Sequence, residues 1–95
     1  MTVMVGFDVA RAVVVEALAD VEGLEIVEVE AAIAAVGGDS GLQLDSKQAE
    51  VIIAFAEERF GRELPSPADL PKDRFSTVAA LVELVAPAVV VPTAV

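Results

Sequence analysis

Apolar residues recur every three or four positions in three stretches of the chain, the spacing that places them on one face of an α-helix. The first stretch runs from Phe7 to Val21, the second from Gln48 to Phe60, and the third follows Ser76-Thr77 and ends at Pro87. Each predicts an amphipathic helix with one buried face. The expected inward positions are Phe7, Ala10, Val14, Ala17 and Val21, then Ala49, Ile52, Ile53, Ala56 and Phe60, and finally Val78, Leu81, Val82 and Val85.

The segment from Leu24 to Glu30 nearly alternates apolar and acidic residues, as a β-strand does. No second segment alternates comparably, and a lone strand would leave its backbone groups unsatisfied. We therefore expect an extended loop here. A short helical turn from about Glu30 to Val36 should follow, closed by Gly37-Gly38.

These elements predict an all-α fold, a small bundle of three main helices plus one short helix, with a long loop between the first and second helices. The proline-rich segment Leu64–Pro71 leaves room for one turn of helix at most. There is no internal repeat and no domain boundary, so residues 1–95 are interpreted as a single domain. Residues 87–95 are expected to be a loose apolar tail, either disordered or laid against the bundle.

Composition narrows the chemistry that the chain itself can perform. There is no Cys and no His, which excludes disulfides, thiolate chemistry and the usual general base, so we expect no enzyme. The net charge is −10, and residues 1–46 contribute −8 of it through nine acids and one base. Such a charge repels nucleic acid and anionic membranes and suits basic partners. No signal peptide or membrane span is evident, so we expect a cytoplasmic protein. We assume that it is a monomer.

Ser46 stands at the start of the second predicted helix, and both it and Asp45 are residue types that cap helix N-termini. Phe60-Gly61 ends that helix, Arg62-Glu63-Leu64-Pro65 follows, and Phe75-Ser76-Thr77-Val78 opens the last helix. In their order and spacing, these features resemble the acyl and peptidyl carrier proteins. The resemblance covers most of the chain.

The resemblance implies that 4′-phosphopantetheine is attached to Ser46 and carries an acyl or aminoacyl group as a thioester. It also implies that Asp45 helps to hold the Mg²⁺ ion used during attachment. The partners would be a phosphopantetheinyl transferase, a loading enzyme, and a downstream acyltransferase or synthase. The second helix would be the docking surface, with Lys47, Glu50, Ala54, Glu57 and Glu58 on or near it.

Four positions depart from the family pattern, and two of them, Glu50 and Val51, reverse its familiar apolar–acid order. Lys47 stands where Leu or another apolar residue is most common, and Gln48 stands where an acid is common. These departures favour a carrier in polyketide, nonribosomal-peptide or another specialised biosynthesis over a housekeeping fatty-acid carrier. The alternative is an acidic helical interaction or regulatory module that has a carrier-like fold and no prosthetic group.

Each candidate residue also has a purely structural interpretation. Asp45 and Ser46 can be a plain helix cap. Glu57 and Glu58 can form a solvated helix face that pairs with Arg59, Arg62 or Lys72. A second Asp-Ser pair, at Asp39-Ser40, precedes Gly41-Leu42 and is predicted to be a surface turn, so Ser46 is the preferred serine.

Overall fold

The computed structural model of the chain describes residues 5–89, which form four α-helices joined by loops and short 3₁₀ turns. The helices are α1 (Val5–Glu22), α2 (Ile26–Ala35), α3 (Ser46–Phe60) and α4 (Val78–Val85). The 3₁₀ turns are Pro67–Asp69, Lys72–Arg74 and Ala86–Ala88. The small all-α fold is therefore confirmed for this part of the chain.

Helix α1 is the central element, because α2, α3 and α4 all pack against it. This arrangement buries residues on several sides of α1, including the β-branched run Val13-Val14-Val15. Ala10, Val14 and Ala17 are buried as predicted, but the expectation for Phe7 is wrong, since its side chain is 42% exposed. At this end of α1 it is Gly6 that faces Ala86. Phe7 lies about 100° further around the helix and so points away from that contact.

The expected extended loop from Leu24 to Glu30 is wrong, because residues 26–35 form the ten-residue helix α2. Val29 and Ile33 lie one turn apart and are both almost fully buried, which supplies the tertiary contact that stabilises the helix. The carboxylate of Glu28 accepts a hydrogen bond from the backbone N–H of Glu25 at 2.8 Å, which helps to cap the N-terminus of α2. The predicted closure at Gly37-Gly38 is confirmed by a bond from the Gly38 N–H to the Ile33 carbonyl at 2.9 Å.

Helices α3 and α4 match their predictions closely. Ala49, Ile52, Ile53 and Ala56 are buried in α3, Phe60 is partly buried against the core, and Gly61 ends the helix at a left-handed φ of 65°. The four inward positions predicted for α4 are all buried, and Thr77 caps it by accepting from the Ala80 N–H at 3.1 Å.

The described part of the expected tail is laid against the bundle, which is one of the two predicted arrangements. Residues 86–88 form a 3₁₀ turn that packs against α1, and Ala88 is buried. Proline at the second position of this turn supplies the fixed φ that such a turn requires. The remainder of the expected tail, residues 90–95, lies outside the described residues.

Candidate functional site

Ser46 is the first residue of α3, and its side chain is exposed. The N-cap is Asp45, whose Oδ1 accepts a hydrogen bond from the Gln48 N–H at 2.7 Å. Gln48 Oε1 in turn accepts from the Asp45 N–H at 2.9 Å, which completes a capping box. Because Asp45 and Gln48 cap the helix between them, the start of α3 does not depend on the Ser46 hydroxyl.

Gln48 also joins α3 to α1. Its Nε2 donates to Glu22 Oε2 at 2.8 Å, close to the C-terminal end of α1. A glutamine therefore fits this position better than an acid, which could not donate to Glu22. In the sequence, Gln48 stands out only as a departure from a family pattern, because its partner Glu22 is 26 positions away.

The segment that leads into Ser46 is held against the start of α4. Leu44 is buried, and its N–H donates to the Ser76 carbonyl at 2.7 Å. Gln43 forms an isolated antiparallel bridge with Thr77. These contacts fix the backbone one and two residues before the Asp45 cap, so the position of Ser46 is set by α4 as well as by α3.

Arg11 anchors the earlier part of the same connection. Its guanidinium donates to both carboxylate oxygens of Glu30 on α2, at 2.7 and 2.8 Å, and to both of Asp39, at 2.9 and 3.0 Å. The two hydrogen bonds from Arg11 to Glu30 lower the pKa of the Glu30 carboxyl below its usual range. The Asp39 carbonyl also accepts from the Ala79 N–H at 3.1 Å. Asp39 thus connects the loop to both α1 and α4.

Ser40, the competing serine, lies in an exposed turn as predicted. The turn is tight, since a Cβ on Gly41 would collide with the carbonyl oxygen of Val36. Ser40 is followed by this glycine turn, and the next helix begins only at Ser46. Ser46 is therefore the one of the two serines that stands at a helix N-terminus.

Two open hollows border Ser46. The larger one, about 660 Å³, has apolar walls from Leu70 and Phe75 and includes Lys72. The smaller one, about 370 Å³, lies against Pro67-Ala68 and includes Lys47. Two of the six basic residues of the chain therefore lie beside Ser46. Lys47 is next to Ser46 in the sequence and was predicted, whereas Lys72 is 26 positions away and was not. The 3₁₀ turn Lys72–Arg74 brings it to the site.

The predicted docking residues of α3 share one face with Ser46, because their spacing keeps them within about 120° around the helix. Lys47, Glu50, Ala54 and Glu58 are exposed, while Glu57 is partly buried. Glu57 Oε2 accepts a hydrogen bond from the Leu64 N–H at 2.8 Å and so holds the chain that leaves α3.

The suggested pairing of Glu57 or Glu58 with Arg59, Arg62 or Lys72 is not found among the described residues. Arg59 instead reaches across to α1 and pairs with Glu16 at 3.0 Å. Its guanidinium also lies 5.2 Å from the centre of the Phe55 ring, within the range of a cation–π contact. Arg59 therefore belongs to the α1–α3 contact rather than to the exposed face that carries Ser46.

Comparison with protein-family models, with curated proteins and with solved structures finds no match to this chain. Within residues 5–89, no helix has both the length and the apolar character needed to cross a membrane. No group of three or more acidic, His or Cys side chains in the same residues is arranged to hold a metal ion.

Proposed function

We propose that this chain is a discrete carrier protein that holds an acyl or aminoacyl intermediate as a thioester on a 4′-phosphopantetheine arm attached to Ser46. The observation that carries the proposal is the exposed hydroxyl of Ser46 at the first position of α3, with the capping bonds made by Asp45 and Gln48. Esterification of that hydroxyl leaves the capping box intact. The family resemblance of the sequence supports the same residue.

The surroundings of Ser46 suit a phosphodiester. The unpaired amides of the first turn of α3 and the positive end of its dipole favour negative charge at this point. Lys47 and Lys72 add positive charge in the hollows on the two sides of the hydroxyl. Asp45 and Glu50 line the same hollows, so the charged side chains around the hydroxyl balance, in a chain whose net charge is −10. When bound, the prosthetic group supplies the thiol that the sequence lacks.

Asp45 has two tasks in this proposal. Its Oδ1 accepts the cap bond from the Gln48 N–H, which fixes the orientation of the carboxylate next to Ser46. A carboxylate has a second oxygen with its own lone pairs, and this oxygen is the one we assign to the Mg²⁺ ion used by the transferase. The cap thus orients the carboxylate oxygen that would bind Mg²⁺.

The partners are a phosphopantetheinyl transferase, a loading enzyme, and a downstream acyltransferase or synthase of polyketide, nonribosomal-peptide or related biosynthesis. Their docking surface is the exposed face of α3 formed by Lys47, Glu50, Ala54 and Glu58, with Glu57 at its edge. We place the protein in the cytoplasm as a monomer that catalyses no reaction itself. The mixed charge of this face favours partners with complementary basic and acidic groups.

Transfer of a fluorescent pantetheine from a coenzyme A analogue tests the site. The purified chain is incubated with Mg²⁺ and a broad-specificity phosphopantetheinyl transferase, and labelling is followed on a gel. Ser46→Ala should abolish labelling and leave the far-ultraviolet circular dichroism (CD) unchanged. Ser40→Ala, the matched control at the other exposed serine, should be labelled like the unaltered chain. Labelling of folded Ser46→Ala would contradict the assignment.

A further inference from the structure

An apolar hollow lies away from Ser46, between the end of α1, the start of α2 and the middle of α3. Its apolar wall is formed by Leu24, Ile26, Val27 and Phe55. The side chain of Ile26 is 50% exposed and that of Val27 is 69% exposed. Contiguous exposed apolar residues of this kind, rimmed by polar groups, mark interaction surfaces.

Packing within the fold does not explain why Ile26 and Val27, the two most exposed residues of this wall, are apolar. Leu24 has a local reason, since its N–H donates to the Ala19 carbonyl at 2.9 Å in the motif that ends α1. Helix α2, however, is held to the bundle by Val29 and Ile33. At least half of the surface of Ile26 and of Val27 is exposed, so their apolar character is not accounted for by this packing and points to a partner.

The charge around the apolar hollow indicates what that partner is. Glu16, Asp20 and Glu25 line the hollow, and none of its lining residues is basic. Arg59 reaches Glu16 from one side, at 3.0 Å, and leaves the other two acids outside that ion pair. A second copy of this chain would bring the same acids and the same net charge of −10 to the contact. Like-charge contact is costly, whereas a basic partner is attracted.

We propose that the apolar hollow binds a basic amphipathic segment of a partner protein, whose apolar anchor side chains are flanked by Lys or Arg. The anchors pack against Ile26, Val27 and Phe55, and the flanking cations lie against Asp20 and Glu25. This site is separate from Ser46 and does not depend on a prosthetic group. It gives the chain a second surface for holding a partner.

The probe for the test is a fluorescein-labelled synthetic helical peptide with Leu at positions i, i+3, i+4 and i+7 and Lys elsewhere. Binding is measured by fluorescence anisotropy. Ile26→Gln should weaken binding about tenfold, which corresponds to about 1.4 kcal/mol. Val36→Gln is the matched control, because Val36 is 46% exposed and does not line the hollow. This variant should bind like the unaltered chain.

A second set of measurements separates the proposal from non-specific attraction. A peptide with Gln in place of every Leu should bind much more weakly, and Ser46→Ala should bind the original peptide unchanged. Val27→Gln, at the more exposed position, repeats the test if Ile26→Gln changes the CD spectrum. The proposal is overturned if Val36→Gln and the hollow variants lose affinity equally. It is also overturned if the hollow instead mediates a concentration-dependent dimer in sedimentation and the peptide does not bind.

Discussion

Arg11 on α1 binds both α2 and the loop between α2 and α3, which leads to Ser46. Arg11→Met tests how much these contacts stabilise the fold. The guanidinium makes four hydrogen bonds to Glu30 and Asp39, and all three side chains are between 32 and 42% exposed. Allowing about 1 kcal/mol for each of the two bidentate ion pairs, the upper end of the range for exposed pairs, gives about 2 kcal/mol. Met keeps most of the aliphatic stem, so this cost is electrostatic. In a domain of this size it lowers Tm by about 8–16 °C.

Thermal unfolding at neutral pH and low salt, followed by far-ultraviolet CD, measures the effect. Arg59→Met is the matched control, since Arg59 pairs with a single carboxylate, on Glu16, and both side chains are 44% exposed. Removing that pair should cost about 0.5 kcal/mol. Arg11→Met should therefore be several times more destabilising than Arg59→Met, and added salt should narrow the difference.

The pH dependence supplies an independent check. The hydrogen bonds from Arg11 lower the pKa of Glu30 in the folded protein, so its stabilising contribution is present above the unfolded pKa. That contribution is lost as the pH falls through the lower, folded pKa. The stability gap between the unaltered chain and Arg11→Met should accordingly shrink in acid. Equal losses of stability for both arginine variants, or a stability gap that grows in acid, would show that Arg11 does not stabilise the fold through Glu30 and Asp39.

Substitutions at three further positions test the cap of α3, the packing of α2 and the end of α3. Asp45→Asn should keep the cap and lower the free energy of unfolding by only a few tenths of a kcal/mol, yet it should slow pantetheine transfer. Asp45→Ala should slow transfer as well and should lower the free energy of unfolding, measured in urea, by about 1 kcal/mol. Ile33→Ala should cost about 3 kcal/mol by the same measurement if α2 packs as described, and near-zero loss would argue for the extended loop. Gly61→Ala should cost about 1 kcal/mol because φ is 65°; unchanged stability would contradict that conformation.

Helices α3 and α4 could be predicted from the sequence because local and tertiary signals agree in them. Ala49, Ile52, Ile53 and Ala56 have helical spacing, an Asp cap precedes them, and Gly61 follows. In α2 the signals conflict: the pattern from Leu24 to Glu30 reads as a strand when taken alone. Only the burial of Val29 and Ile33 against the rest of the bundle decides for a helix.

The candidate site was predictable in its centre and not in its surroundings. Ser46 and Asp45 stand out because a cap motif is local in sequence. Two other features depend on residues that are 26 positions apart: the hydrogen bond from Gln48 to Glu22, and the placement of Lys72 beside Ser46. A local sequence pattern cannot predict contacts of that separation. The apolar hollow was missed for the same reason, since it requires α2 to be placed beside Phe55.

Attachment of phosphopantetheine to Ser46 can be measured by the intact mass of the protein after incubation with coenzyme A, Mg²⁺ and a broad-specificity phosphopantetheinyl transferase, followed by peptide mapping. We expect a gain of one phosphopantetheine, located on the peptide that contains Ser46. A folded chain that gains nothing would contradict the carrier proposal and favour an acidic interaction module. A gain on the Ser40 peptide would contradict the assignment of the site.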